Sequence, residues 1–250
     1  MSKPGTARFF ADLFSGKGGV ATALRKLGFM TKEYESLRGV DLCSKKTQLQ
    51  LLADIRTGKI AGVMLATPCT TLSRARRKRL RSLEQPWGVD GLNESELKQL
   101  KDGNACLRFS LRVIRLCLKK GVPFILENPL TSMIWGFAEM QRIASNSATH
   151  FREADFCQFG TRWKKPTRFL CGHLHEEDTS GLQRRCSGPR GFCSRTGARH
   201  FILEGPGPGG VPRTRTAQPY PPRLCSALSW ALSNPCRTDF LARATTRIKK

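Results

Sequence analysis

The sequence predicts an α/β fold, a Rossmann-like sheet of parallel strands with helices on both faces. Three observations predict it. Short apolar runs ending in acids or turn residues alternate with longer segments of helical spacing, which is the pattern of strand–helix units. The first run closes on a Gly-rich turn that opens a helix. Finally, 39% of the 250 residues are hydrophobic, enough for one sizeable core with a small appended lobe.

The elements follow in order. "ARFFADLFSG" (7–16) is apolar up to an acid and a glycine turn, and reads as a buried strand. "GGVATALRKLGF" (18–29) places Val20, Ala23, Leu24 and Leu27 at helical spacing, with Gly28 as the stop. A short strand is expected over Thr31–Tyr34, with Glu35 at its end. "LQLLADI" reads as a helix end and "IAGVMLATP" as the next apolar run, with Asp54 between them and Cys69 just beyond. Residues 74–103 are polar, charged and rich in turn residues, and read as a basic, mobile segment ending near a new helix start. A helix over 104–121 leads into the buried strand "VPFILENP" (122–129), closed by Glu127, Asn128 and Pro129. "SMIWGFAEMQRIA" reads as helix, and "FREADFCQFG" leads into a strand near 168–171. Residues 172–216 hold His173, His175 and His200, many arginines and the linker-like "EGPGPGGVPRTRT". "LCSALSWAL" (224–232) restores a helical pattern, and 235–250 is expected to be a basic tail whose last residues, "RATTRIKK", are disordered.

Lys and Arg number 43 against 19 acids, a formal charge of +24. Such an excess opposes compaction unless an anionic partner neutralises it, and nucleic acid is the usual one. An anionic membrane surface is the rival, but the basic residues do not lie on one long amphipathic helix. No segment is apolar for the roughly 18 residues a bilayer span needs, and the N-terminus lacks a signal-peptide core. The expected location is therefore intracellular, the nucleus in a eukaryote and the cytoplasm otherwise, as a monomer. The ten cysteines are then free thiols, a nucleophile or metal ligands rather than disulfides.

Two stretches invite chemistry. "DLFSGKGG" puts an acid and then glycines between strand and helix, which suits close approach of a ligand and equally suits a turn that merely packs well. Glu35, at a strand end, sits where acids accept from ribose hydroxyls; a solvated surface acid is the other reading, and Asp41 is its rival. In "LATPCTTLS", Cys69 follows a proline at the end of an apolar run, a place for a nucleophile or for an ordinary buried thiol.

The ordered set "DLFSGKGG", "ADI", "TPCTTLS" and "ILENP" resembles the cytosine-C5 DNA methyltransferase family, which depends on S-adenosylmethionine. "FGTRWKKPTRF" (159–169) is similar to its arginine block, and "AQPYPPRLCSALSWAL" (217–232) to its closing block. The resemblance implies a class I methyltransferase domain from 7–171 and 216–234, with 172–215 as a reduced recognition lobe. It also implies Cys69 as the nucleophile at cytosine C6, Glu127 on N3 and the exocyclic amine, and Asn128 orienting the Glu127 loop. Arg168 would reach the base or its phosphate, with Lys165 as the other candidate. Asp12, Phe14, Ser15, Gly16, Gly18, Gly19 and Pro68 would line the cofactor pocket, with Glu35 on the ribose and Asp54 on the adenine amine. Arg74, Arg76, Arg77, Lys78, Arg79 and Arg81, in a loop expected to close over the nucleic acid, would meet phosphates together with Lys164 and Lys165; a solvated basic helix is the plain reading of that loop.

Departures from the family pattern are Thr70, Leu72 and Pro129 in the conserved blocks, and an extra residue between the two arginines of "GTRWKKPTRF". In the short lobe, Cys171, His173, Cys186, Cys193 and His200 could supply four zinc ligands, with His175 spare; scattered reduced thiols are the alternative. The expected substrate is DNA, with RNA as the close alternative. A catalytically silent nucleic-acid-binding relic of a mobile element is the reading from another class.

Overall fold

The computed structural model describes residues 8–248 apart from Ala75, Arg77, Pro206, Val211 and Pro212; for Arg38, Pro208 and 237–248 it describes the backbone alone. Six strands form one sheet: β1 (Phe9–Leu13), β2 (Thr31–Tyr34), β3 (Ile60–Leu65), β4 (Phe124–Pro129), β5 (Thr149–Asp155) and β6 (Pro166–Gly172), in the spatial order β2-β1-β3-β4-β6-β5. Helices α1 (Gly19–Lys26), α2 (Lys45–Arg56), α3 (Glu94–Lys120), α4 (Ala138–Ala144) and α5 (Pro222–Ile248) connect and cover it. This is the expected Rossmann-like α/β architecture.

The alternation of side chains along each strand sorts the core into two layers. Phe9, Ala11, Leu13, Val63, Leu65 and Leu126 pack with α2, α3 and α4 on one face. Phe10, Met64, Ile125 and Phe169 pack with α1 and α5 on the other. Strands β1 and β3 are buried along their whole length, as central parallel strands must be, whereas β2 ("TKEY") is polar and forms an edge.

Four expectations are corrected. The sheet is mixed rather than all parallel: β6 runs antiparallel to both β4 and β5. A connection of only ten residues, 156–165, joins β5 to β6, too short for the helical crossover a parallel pair needs. The strand β5 itself was not anticipated from "THFREAD", whose burial is mostly partial and whose polar residues hide its period. Helix α3 begins at Glu94, ten residues before the expected start at 104, because Asn93 and Glu96 form a reciprocal capping box. And 243–248 of the end expected to be disordered continue α5, while 249–250 lie outside the described residues.

Among its described residues, the basic segment 74–92 is also anchored rather than mobile. Arg81 is only 1% exposed. Its guanidinium donates to the Thr71 carbonyl (3.1 Å), Thr71 Oγ1 (3.0 Å), the Pro86 carbonyl (2.8 Å) and Asn104 Oδ1 (2.7 Å). Helix α3 passes so near that a Cβ on Gly103 would run into Thr71 Oγ1. Among the described residues, no helix is long and apolar enough to cross a membrane.

Candidate active site

The chain passes from β1 through α1 to β2 on one side, and from β3 to β4 on the other, so strand order reverses between β1 and β3. The crevice at the carboxyl ends of strands at such a point is where open α/β sheets bind ligands. Four segments meet there: the turn after β1, Glu35 after β2, the loop carrying Cys69 after β3, and the end of β4.

In the first turn, Phe14, Gly16 and Gly18 all have positive φ (56°, 52° and 68°), a backbone that only glycine adopts without cost. Phe14 N donates to the Tyr34 carbonyl at 2.8 Å, and Gly16 N donates to Glu35 Oε2 at 2.9 Å, so the two strand ends are tied together. The Ser15 hydroxyl is buried and makes no hydrogen bond among the described residues, and a Cβ on Gly16 would meet nothing within 4 Å. An orphan hydroxyl beside open space suits a ligand. Gly19 opens α1, and the buried Asp12 accepts from Ala21 N at 3.1 Å, holding that first turn from within the sheet.

Asp54 is a correction. It lies inside α2, 3% exposed, where its carboxylate accepts from Gln50 Nε2 (3.0 Å) and sits 3.6 Å from Lys59 Nζ. Its carbonyl accepts from Lys59 N, immediately before β3 begins, so Asp54 belongs to the amino end of the sheet and not to the crevice. The helix runs directly into β3 with no intervening strand to carry an acid to the carboxyl edge.

The catalytic candidates converge better. Glu127, on β4, is buried. Tyr220 donates to its Oε2 at 2.8 Å, and Lys165 Nζ lies 3.5 Å from Oε1. Cys69 is half-buried one strand away. Burial, then the Glu127 charge, push its thiol above the ordinary value, while Lys165 and a backbone hydrogen bond pull it back. The Tyr220 hydroxyl is held well above its ordinary value by burial and by Glu127, so it is a proton donor to that carboxylate. Lys165 also lies over the Phe156 ring, 4.5 Å from its centroid. Asn128 is fully buried and donates to the Thr67 carbonyl at 2.8 Å, tying the end of β4 to the loop that carries the exposed Pro68 and Cys69. Thr67 is fixed in turn by its bond to Ser110 of α3 at 2.7 Å.

Arg168 is the second correction. Its register partner on β4 is Asn128, whereas that of Glu127 is Phe169, so Arg168 and Glu127 point to opposite faces. Its guanidinium pairs with Glu153 at 2.6 Å and lies over the Phe151 ring at 5.0 Å. The cation beside Glu127 is Lys165. Lys164 instead donates to the Cys186 carbonyl at 3.3 Å.

Of the basic run, Arg74 and Arg79 are exposed and line a cleft with Ser82, Leu83, Val89 and Met133. Lys78 pairs with Glu96 at 2.6 Å and Arg76 with Gln99 at 3.1 Å, both on α3. Arg81, expected to meet phosphates, is instead a structural anchor, its guanidinium lowered to about 10 by burial. Arg77 lies outside the described residues.

The Cys/His expectation is half corrected. Cys186, Cys193 and His200 come together, but their fourth companion is Cys157, and the ligand atoms of all four lie within 4.8 Å of one another. This group could hold a metal. Cys171 is buried in the sheet core on β6, and His173 Nε2 contacts the Leu118 carbonyl at 3.0 Å, so neither belongs to it. Sequence reasoning missed Cys157 and Tyr220. The signals were present: a cysteine in the short connection "DFCQFG", and a tyrosine immediately before the paired prolines of "AQPYPPRL".

No protein-family model matches the chain, and no curated protein matches it. Among solved structures, it is similar to the Entamoeba histolytica methyltransferase EhMeth at 12% identity and TM-score 0.38, over 67% of this chain and 53% of that one. It is similar to the S. pombe Dnmt2 methyltransferase at 11% and 0.36, over 70% and 54%. A Spodoptera frugiperda DNMT2 mutant gives 10% and 0.38, over 66% and 50%. The chain spans about half the length of the structures it matches.

Proposed function

We propose that this chain is an S-adenosylmethionine-dependent methyltransferase that methylates C5 of a cytosine flipped out of DNA, with Cys69 as the nucleophile. The observation that carries the reading is the pairing of a half-buried thiol with a buried carboxylate on neighbouring strand ends, with one lysine acting on both. Cytosine C5 is a poor nucleophile until a group adds to C6, and a thiolate adds well and leaves well. The Cys69 sulfur bonds to C6, and the displaced π electrons build negative charge toward C5 and N3. Glu127 in its acid form donates to N3 and stabilises that charge.

As the sulfur adds to C6, the thiol proton of Cys69 passes to Glu127, which supplies the proton that Glu127 gives to N3; burial and the Glu127 charge oppose a free thiolate before that step. Lys165 steadies the thiolate, and Tyr220 holds the carboxyl in place. Once bound, S-adenosylmethionine supplies the electrophilic methyl group. Residues fit its methionine and ribose ends: the open turn at Gly16, the orphan Ser15 hydroxyl and Glu35. After transfer, the C5 proton is lost to solvent and the N3 proton returns to Glu127, which restores the ring and expels the Cys69 thiolate. Exposed Arg74 and Arg79 meet the phosphates of the flipped strand.

A second reading, a silent nucleic-acid-binding protein, is favoured by one observation: Asp54 is held in α2, leaving the adenine end without the expected acid. Trapping with 5-fluorocytosine oligonucleotides decides between them. Fluorine at C5 blocks the final elimination, so turnover leaves a covalent adduct. An adduct on DNA, absent in Cys69→Ala, supports the proposal; an adduct on RNA alone moves the substrate to RNA. No adduct on either, with nucleic-acid binding intact, supports the silent reading.

A further inference from the structure

We propose that Cys157, Cys186, Cys193 and His200 bind one structural zinc ion, which folds the lobe and braces the connection that carries Lys165. Three soft thiols and an imidazole are a zinc-type ligand set, and a tetrahedron with bonds of about 2.3 Å to sulfur has edges of about 3.8 Å. The Cys186 Sγ to His200 Nε2 separation is 3.7 Å, and the other ligand-atom pairs lie within 4.8 Å. All ten cysteines are free, and a disulfide would use two of these three thiols and strand the third beside the imidazole.

The loops are shaped for thiolates. Ser194 N donates to Cys186 Sγ at 3.3 Å and its hydroxyl does so at 3.6 Å, while the Gln158 side-chain amide donates to Cys193 Sγ at 3.8 Å. Such N–H···S bonds offset the charge of a metal-bound sulfur. A Cβ on Gly188 would run into the Phe192 carbonyl, so the two ligand loops pack backbone against backbone. A turn from Cys193 to His200, with Cys193 N donating to the Ala198 carbonyl and His200 N to that of Gly191, presents both ligands.

Apolar packing does not hold this lobe. Between 183 and 205 the only buried residues are Cys186 and Cys193, while Phe192, Phe201 and Ile202 are exposed. With Cys157 they form a cluster of cysteines alone, where a core would stand. A bound metal supplies the folding free energy that apolar burial does not.

The brace reaches the candidate site. Cys157 lies in the connection between β5 and β6, which ends at Lys165. Arg195 Nε donates to the Cys157 carbonyl at 2.7 Å, Phe201 N to that of Arg162 at 2.8 Å, and Lys164 Nζ to that of Cys186 at 3.3 Å. Cys186 N donates to the buried Asp155 at 2.7 Å. The lobe is thus a clamp on the segment that sets Lys165 against Glu127.

The test is metal content of the full chain, expressed with zinc and desalted, which is independent of methyl transfer. About one zinc per chain is expected, with the metal lost in Cys157→Ser and Cys193→Ser and kept in Cys171→Ala. Cobalt exchanged into the unaltered chain is expected to show thiolate charge-transfer bands and the strong visible bands of a tetrahedral site, which keeps the proposal testable if the serine variants fail to fold. A purified chain with almost no zinc and no such cobalt spectrum overturns it. So does full zinc retained in Cys157→Ser but lost in Cys171→Ala.

Discussion

At the carboxyl edge of the sheet, Cys69 and Glu127 are held by strands buried along their length and by fixed neighbours such as Asn128 and Arg81. In the lobe from 183 to 205, the chain has turns, arginines and two buried cysteines, and no apolar layer at all. The first region would keep its shape with the second removed from metal. The second has its ligand set and polar bonds to β5 and the β5–β6 connection. One chain therefore contains a site positioned by packing and a lobe for which we propose coordination, joined at Lys165.

The largest effect expected is on the lobe. A strong zinc chelator should make 184–204, which holds five arginines, cleavable by trypsin at least about tenfold faster while the sheet stays resistant. Equal resistance of both regions would break the comparison. Next comes the anchor of the packed region. Arg81→Ala leaves the Thr71 and Pro86 carbonyls and Asn104 without their donor inside the protein, and should destabilise the chain by about 3 kcal/mol in denaturant unfolding. A change under about 0.5 kcal/mol would mean that the basic segment is not anchored as described.

The smallest effect sharpens the site itself. Alkylation of Cys69 requires its thiolate, so its rate rises with pH about a midpoint lying above that of an ordinary thiol. Glu127→Gln removes a charge that raises this midpoint and should lower it; Lys165→Met removes a charge that lowers it and should raise it. Each shift is expected to be about half to one pH unit. Metal removal that loosens the connection should shift the midpoint in the same direction as Lys165→Met. A midpoint unmoved by either substitution would separate Cys69 from the pair.

Strands β1 to β4 and the residues at their ends were legible in the sequence because each is local. An apolar run, an acid and a glycine turn are neighbours in the chain, and strand ends of an α/β sheet fall on one edge without further instruction. Cys69, Glu127 and Glu35 could be nominated on that ground. Asp54 could not be placed by its dipeptide, because α2 continues through it into β3 without another strand.

The rest needed the third dimension. Whether Arg168 or Lys165 reaches Glu127 depends on cross-strand register: one residue along β6 exchanges the two faces of the sheet, and the antiparallel course of β6 sets which residue falls opposite Asn128. Whether Cys157 or Cys171 joins Cys186, Cys193 and His200 depends on where the β5–β6 connection passes the lobe, and spacing cannot encode a contact between segments so far apart in the chain. Sequence alone determined the alternation that makes the sheet and the chemical types offered at its edge. Tertiary structure decided which lysine, tyrosine and cysteine those types meet, because register and loop packing bring distant residues within a few ångströms.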